Sequence, residues 1–190
     1  PEEMVSHWNS EGIPDDSMSK FWGLFLMPIV SLIIFLMFIF IPRIDPLKKN
    51  IEKFRGYFEN LILVIILFLF YIYSLTLFWN LNYRFDMTAA IIPAIGLFIF
   101  YTGTVLEKAK RNWFIGIRTP WTLSSDEVWD KTNKLGGKIF KAVGIISLLG
   151  IVFADYAIYI FLAPLLSGVF YVMVYSYFEY QKFIKGKEEL

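Results

Sequence analysis

Leu61-Ile-Leu-Val-Ile-Ile-Leu-Phe-Leu-Phe-Tyr-Ile-Tyr-Ser-Leu-Thr-Leu-Phe-Trp79 is an unbroken run without a charge. A helix crosses about 30 Å of hydrocarbon with about 20 apolar residues, and this run has that length. It does not alternate polar and apolar positions, as a barrel strand must. It is apolar on every side, as a lipid-facing helix is. Trp22–Ile41, Ala89–Leu106 and Tyr156–Phe178 repeat the pattern. Ile139–Ala154 is shorter and carries Lys141, a cation that can snorkel to the interface. That fourth stretch is expected to begin as an interfacial helix, continue inward and turn back at Asp155 into the last span. Five spans in an all-α, polytopic transmembrane helical bundle are predicted.

Composition agrees. Of 190 residues, 57% are hydrophobic, against about 45–50% in soluble domains. Mean hydropathy is +0.55. A net charge of +1 gives no basic field for nucleic acid, so no direct nucleic-acid partner is expected. There is no cysteine, which excludes disulfides and thiolate chemistry. His7 is the single histidine, so a multi-His metal site is excluded and no metal or cofactor is expected. No triad or nucleotide loop is visible, which argues against an enzyme. No charge lies near the centre of a span, which lowers the case for a coupled transporter. Pro28, Pro93 and Pro164 interrupt three spans and predict kinks shaped for packing, tolerated where neighbours satisfy the freed carbonyls; a gating hinge is the alternative. No GxxxG pair occurs in a span.

Basic residues set the expected orientation. Arg43, Lys48, Lys49, Lys53 and Arg55 lie in 42–60; eight more lie in 107–141; Lys182, Lys185 and Lys187 lie in the tail. Only Lys20 and Arg84 fall in the opposite loops. A multi-pass protein of the cell membrane follows, with residues 1–20 extracytoplasmic and the C-terminus cytoplasmic. Trp22 and Trp79 then sit in the outer aromatic belt. The chain opens on Pro1 without a basic leader, and a further upstream span is expected in the natural protein.

Two polar segments hold the remaining information. The outer one, Pro1–Lys20, has turn chemistry at Gly12 and Pro14-Asp15. His7-Trp8-Asn9 suits a short strand or an interfacial contact. The segment is either a compact cap on helix ends or a recognition surface. The inner one contains Trp113-Phe-Ile-Gly-Ile-Arg-Thr-Pro-Trp-Thr-Leu123, too aromatic to be solvated and too broken to span. A re-entrant or interfacial loop is predicted. Arg118 is expected to be buried there, pinned by helix-end carbonyls or by Asp126, Glu127 or Asp130; lipid phosphate or a protein partner is the alternative. Ser124-Ser-Asp-Glu127 has capping-box spacing, which predicts Ser124 as the cap of a helix starting at Ser125. Val128, Trp129, Thr132 and Leu135 follow at helical spacing. Gly136-Gly137 either ends that helix or permits close packing.

Gly116-Ile-Arg-Thr-Pro-Trp-Thr-Leu-Ser-Ser125, followed by Val128-Trp129, Thr132 and Gly137-Lys138, resembles the signature of the SdpI family of integral membrane proteins. Pro1, His7, Trp8, Asn9, Gly12, Pro14 and Asp15 resemble a domain of unknown function often found ahead of it. The resemblance implies two parts: 1–106, the outer segment plus three spans, and 107–190, the inner loop-helix plus a two-helix transmembrane hairpin. It implies immunity to a secreted peptide toxin, signalling through a cytoplasmic transcriptional regulator, or both. Asn112, Trp113, Gly116, Arg118, Thr119, Pro120, Trp121, Thr122 and Trp129 would form the inner partner motif. His7, Trp8, Asn9, Gly12, Pro14 and Asp15 would form the outer recognition surface. Besides membrane lipid, the expected partners are therefore a peptide toxin outside and a regulator inside, with room for an oligomer or a larger membrane complex. The alternatives are an accessory subunit of such a complex and, with less support, a transporter.

Overall fold

A computed structural model describes residues 1–9 and 11–188. The elements are β1 (Glu3–Trp8), β2 (Pro14–Ser19), α1 (Lys20–Ile44), α2 (Lys48–Glu52), α3 (Arg55–Asn80), α4 (Met87–Lys108), α5 (Pro120–Ser124), α6 (Asp126–Ser147) and α7 (Ala157–Glu188). Two 3₁₀ turns, Leu148–Ile151 and Ala154–Tyr156, join α6 to α7. The chain is an all-α polytopic bundle with one small antiparallel hairpin, β1–β2, at one end.

Four helices are long and apolar enough to cross a membrane: α1, α3, α4 and α7. The fourth expected span is not a helix of its own. Ile139–Ser147 is the apolar end of α6, and the rest of that stretch is the two 3₁₀ turns. The polar start of α6, Asp126–Lys138, lowers its hydropathy while its length still carries the chain along the bundle. Near its end Gly150 packs against Ile92 of α4 and Ala157 of α7. The chain therefore passes five times between the two ends: the hairpin end, and the end holding α2 and α5, called here the loop end.

In α1 and α3 only 6% of the apolar window is buried, so their outer faces are left for lipid. Pro28 removes the donor that would reach the Leu24 carbonyl. The Tyr73 hydroxyl of α3 donates to that carbonyl at 2.9 Å, the compensation expected for an intramembrane proline.

Close packing between α4 and α6 depends on four glycines. A Cβ on Gly103 would lie 2.6 Å from the Gly137 carbonyl oxygen, and one on Gly137 would lie 2.5 Å from that of Gly103. Gly96 and Gly144 repeat the arrangement two turns away, at 2.8 and 2.5 Å. Each pair of glycines within a helix is seven residues apart, so one antiparallel seam uses both. Gly136-Gly137 thus serves close packing and does not end the helix. Membrane helices gain little from the hydrophobic effect between one another, and small residues let their backbones approach.

Candidate functional sites at the two ends of the bundle

At the loop end, segment 109–119 folds around buried amides. Asn112 is fully buried. Its Nδ2 donates to the Lys110 and Ile115 carbonyls at 2.8 and 2.7 Å. Its Oδ1 accepts from the Phe114 and Ile115 amides at 2.9 and 2.7 Å. Asn133 on α6 does similar work: Oδ1 accepts the Ile117 amide at 2.7 Å and Nδ2 donates to the Trp129 carbonyl. Between them Gly116 takes φ +131, and a Cβ there would strike the Trp129 ring at 2.6 Å. Only glycine meets both demands.

Trp129 is fully buried, and its indole Nε1 donates to the Ala109 carbonyl at 2.8 Å. It packs with Ile41, Ile51, Phe54, Phe58 and Ala109, joining the α1–α3 connection to α6. Asp45, also buried, ties the two loops together. One carboxylate oxygen accepts the Leu47 amide at 2.6 Å and the other the Trp113 amide at 2.9 Å. Asn50 Nδ2 adds a bond to the Arg111 carbonyl at 2.8 Å.

Thr119 caps α5, with Pro120 at the first helical position. The capping box is formed by Thr119 and Thr122. Thr119 Oγ1 also lies 3.1 Å from Ser176 Oγ of α7, and Trp121 meets Tyr177 edge-on at 5.2 Å. On α6, Lys131 bonds to Glu127 at 2.8 Å and to Glu179 of α7 at 3.2 Å. The Glu127 bond, with help from Glu179, raises the Lys131 pKa above the usual lysine value.

Two expectations are corrected here. Ser124 is not the cap of α6; it ends α5 and donates to the Pro120 carbonyl at 2.6 Å. Ser125 is the cap, accepting from the Val128 amide at 3.4 Å. Arg118 is not buried: its side chain is exposed and donates to the Trp113 carbonyl within the loop, not to a helix end or an acid. The pinning cation is Arg111, which donates to the Leu123 carbonyl at 2.7 Å and pairs with Asp126 at 2.7 Å. The cap assignment predicts that Ser125→Ala destabilises α6 by about 0.5–2 kcal/mol, with the long 3.4 Å contact favouring the lower end. Ser124→Ala, at an exposed position, stays within about 0.5 kcal/mol. Hydrogen exchange over 126–135 separates the two; equal protection in both variants would remove the cap.

The inner motif therefore divides. Asn112, Gly116, Thr119, Thr122 and Trp129 build the loop, with Trp121 clamping α5 to α7. Trp113, 49% exposed, stands outward with Arg118 and Pro120. Asp45, Asn50, Arg111 and Asn133 were missed in the sequence, because each acts on a segment distant in the chain or looks like any surface polar residue.

At the hairpin end, the register pairs Met4 with Met18 and Trp8 with Pro14. Asn9 Oδ1 shapes the turn by accepting the Glu11 and Ile13 amides at 2.9 and 3.0 Å. Gly12 takes φ +74 beside Asp86 and Thr88. Asn80, at the end of α3, extends the pairing: it accepts the Val5 amide at 2.8 Å and donates to the Val5 carbonyl at 3.0 Å. Met4 is buried against Gly23 of α1, and Trp8 meets Trp79 edge-on at 5.5 Å. His7 and Asp15 are paired at 2.5 Å on the exposed face.

Beneath the hairpin lies a partly enclosed apolar cavity of about 570 Å³, between α1, α3, α4 and α7. Val5, Trp8, Met18, Leu26, Ile91 and Phe161 are among its walls. A second, polar cavity of about 470 Å³ adjoins it, sharing Thr88 and Ile158 and lined by Glu11, Asp86 and Asp155. Among the described residues no cluster of three or more histidine or acidic side chains is arranged to hold a metal ion.

The model of the SdpI/YfhL protein family matches residues 108–176, and that of a domain of unknown function (DUF1648) matches residues 1–32. Immunity protein SdpI of Bacillus subtilis (strain 168) is 31% identical over 184 residues, covering 96% of this chain and 86% of that protein. No solved structure matches. The family match falls on the loop-end motif and its two following helices, the relative aligns along nearly the whole chain, and four helices suit a bilayer. The chain is thus a multi-pass membrane protein that belongs to the SdpI/YfhL protein family.

Proposed function

We propose that this protein confers immunity to a secreted peptide toxin, met at the hairpin end, and signals by offering its loop end to a cytoplasmic regulator. Similarity to an immunity protein along 96% of the chain carries this reading. The two structured ends give it a physical form, one facing each side of the membrane. Sixteen of the eighteen basic residues belong to segments that meet at or near the loop end, which favours a cytoplasmic loop end and an extracytoplasmic hairpin. Trp113, Arg118 and Pro120 would meet the regulator; His7, Trp8, Asn9, Gly12, Pro14 and Asp15 would support the toxin-facing surface. The role is one of binding, not of catalysis.

The test has two arms. Ser17→Cys should react with a membrane-impermeant maleimide in intact cells, and Ser124→Cys only after lysis; both positions are exposed in the fold. Equal labelling from outside overturns the orientation. Sensitive cells expressing the protein should survive candidate secreted peptide toxins that kill the same cells without it. Unchanged killing by every peptide encoded beside the gene overturns the immunity role.

A further inference from the structure

We propose that the hairpin-end cavities form one bipartite site for a cationic apolar peptide segment, with apolar side chains under the hairpin and a basic group among Glu11, Asp86 and Asp155. This rests on the reading that the hairpin end meets a peptide, and it names the chemistry of that peptide.

Three independent observations converge. The cavity under the hairpin is of ligand size and apolar. It lies next to the acidic pocket, with Thr88 and Ile158 lining both, so a peptide of a few residues crossing that shared wall would engage the two together. Trp8, a wall of the cavity, has its indole Nε1 buried without an acceptor among the described residues. A buried donor without a partner is costly, and a small turn of the ring on binding would hand it to a ligand carbonyl. A bare acyl chain offers no such acceptor.

Charge points the same way. Residues 1–20 hold five carboxylates, and Asp86 and Asp155 join them at this end, against Lys20 and Arg84. Lys20 lies 3.6 Å from Glu2, and the Arg84 guanidinium sits over the Trp79 ring at 3.6 Å. Neither lines the acidic pocket. Three carboxylates outweigh the partial positive charge of the helix start that Asp86 caps, so an anionic ligand would be repelled and a cationic one steered in.

Two dansyl-labelled peptides, Leu-Leu-Leu-Lys-amide and Leu-Leu-Leu-Glu-amide, test the site by fluorescence titration of the full chain in lipid nanodiscs. The lysine peptide should bind about tenfold more tightly, which is what two or three part-exposed ion pairs amount to. The preference should shrink at high salt and fall to about twofold in Glu11→Gln/Asp155→Asn, which leaves only Asp86, the helix cap, in the pocket. Trp8→Phe should weaken both peptides several-fold, consistent with one lost hydrogen bond. Equal binding of the two peptides overturns the site. So does displacement of both by dodecylphosphocholine with no charge preference, which would make the cavity an acyl-chain site. Cells that survive toxin while the protein shows no preference leave immunity standing and remove this site; a clear preference without protection does the reverse.

Discussion

Trp129→Ala is expected to destabilise the protein by about 3–5 kcal/mol, the usual cost of removing a large, fully buried aromatic side chain. Trp129 is at 0% exposure and fills the space between the α1–α3 connection, the 109–117 loop and α6. Its loss also leaves the Ala109 carbonyl without its donor. Trp129→Phe keeps most of the volume but not the N–H, and should cost less. The matched control is Trp113→Ala, sixteen residues earlier and half exposed, which should stay within about 0.5 kcal/mol. Thermal unfolding in detergent, read with proteolysis of 107–125, distinguishes them. Equal midpoints for Trp129→Ala and Trp113→Ala would mean that the loop end has no tightly packed core.

The second large effect lies in the glycine seam. Gly103→Ala or Gly137→Ala puts a methyl group 2.5–2.6 Å from a backbone oxygen on the facing helix. Backbone cannot rotate aside as a side chain can, so α4 and α6 must separate. Overpacking of this kind costs about 1–3 kcal/mol. The double variant should cost less than the sum, because helices already parted by one methyl accommodate the second. Gly56→Ala, with open space around its Cβ, should be neutral or stabilising by up to about 1 kcal/mol from helix propensity. Additive losses in the double variant, or a loss at Gly56 as large as at Gly103, would contradict the seam.

How much of this was legible in the sequence varied with the distance over which each interaction acts. The four apolar helices could be read because a residue facing lipid is apolar whatever its neighbours are. The glycine seam could not, because a search for glycines four apart passes over pairs seven apart, and nothing within α4 announces its partner on α6. Ser124 and Ser125 compete for the same cap; the capping box of Thr119 and Thr122 starts α5, and the extended backbone at Ser125 ends it, which leaves Ser124 inside α5 and Ser125 as the cap of α6. Arg111 and Arg118 flank one loop and look alike in composition. The fold buries part of the first beside Asp126 and Leu123 and leaves the second outside. Asp45 reaches across 68 residues to the Trp113 amide, a pairing that no local pattern encodes. The inner motif was therefore found as a stretch of chain, while the division between residues that build it and residues that face outward needed the structure.

The divided character of α6 has a consequence for biogenesis. Its apolar part, from Ile139 to the end of the 3₁₀ turn at Ile151, is too short to partition into lipid alone. The residues ahead of it include Asp126, Glu127, Asp130, Lys131, Lys134 and Lys138, and charges of that kind cost about 2.5–3.5 kcal/mol each at mid-bilayer on insertion scales. A translocon testing this segment alone would reject it. It becomes acceptable when α4 already stands in the bilayer offering its glycine face, and when α7 follows to close the pair. The last two passes are therefore expected to enter together, late, against a template laid down earlier in synthesis. A ribosome stalled before α7 has emerged is expected to leave α6 outside the hydrocarbon, which protease accessibility of the stalled chain would reveal.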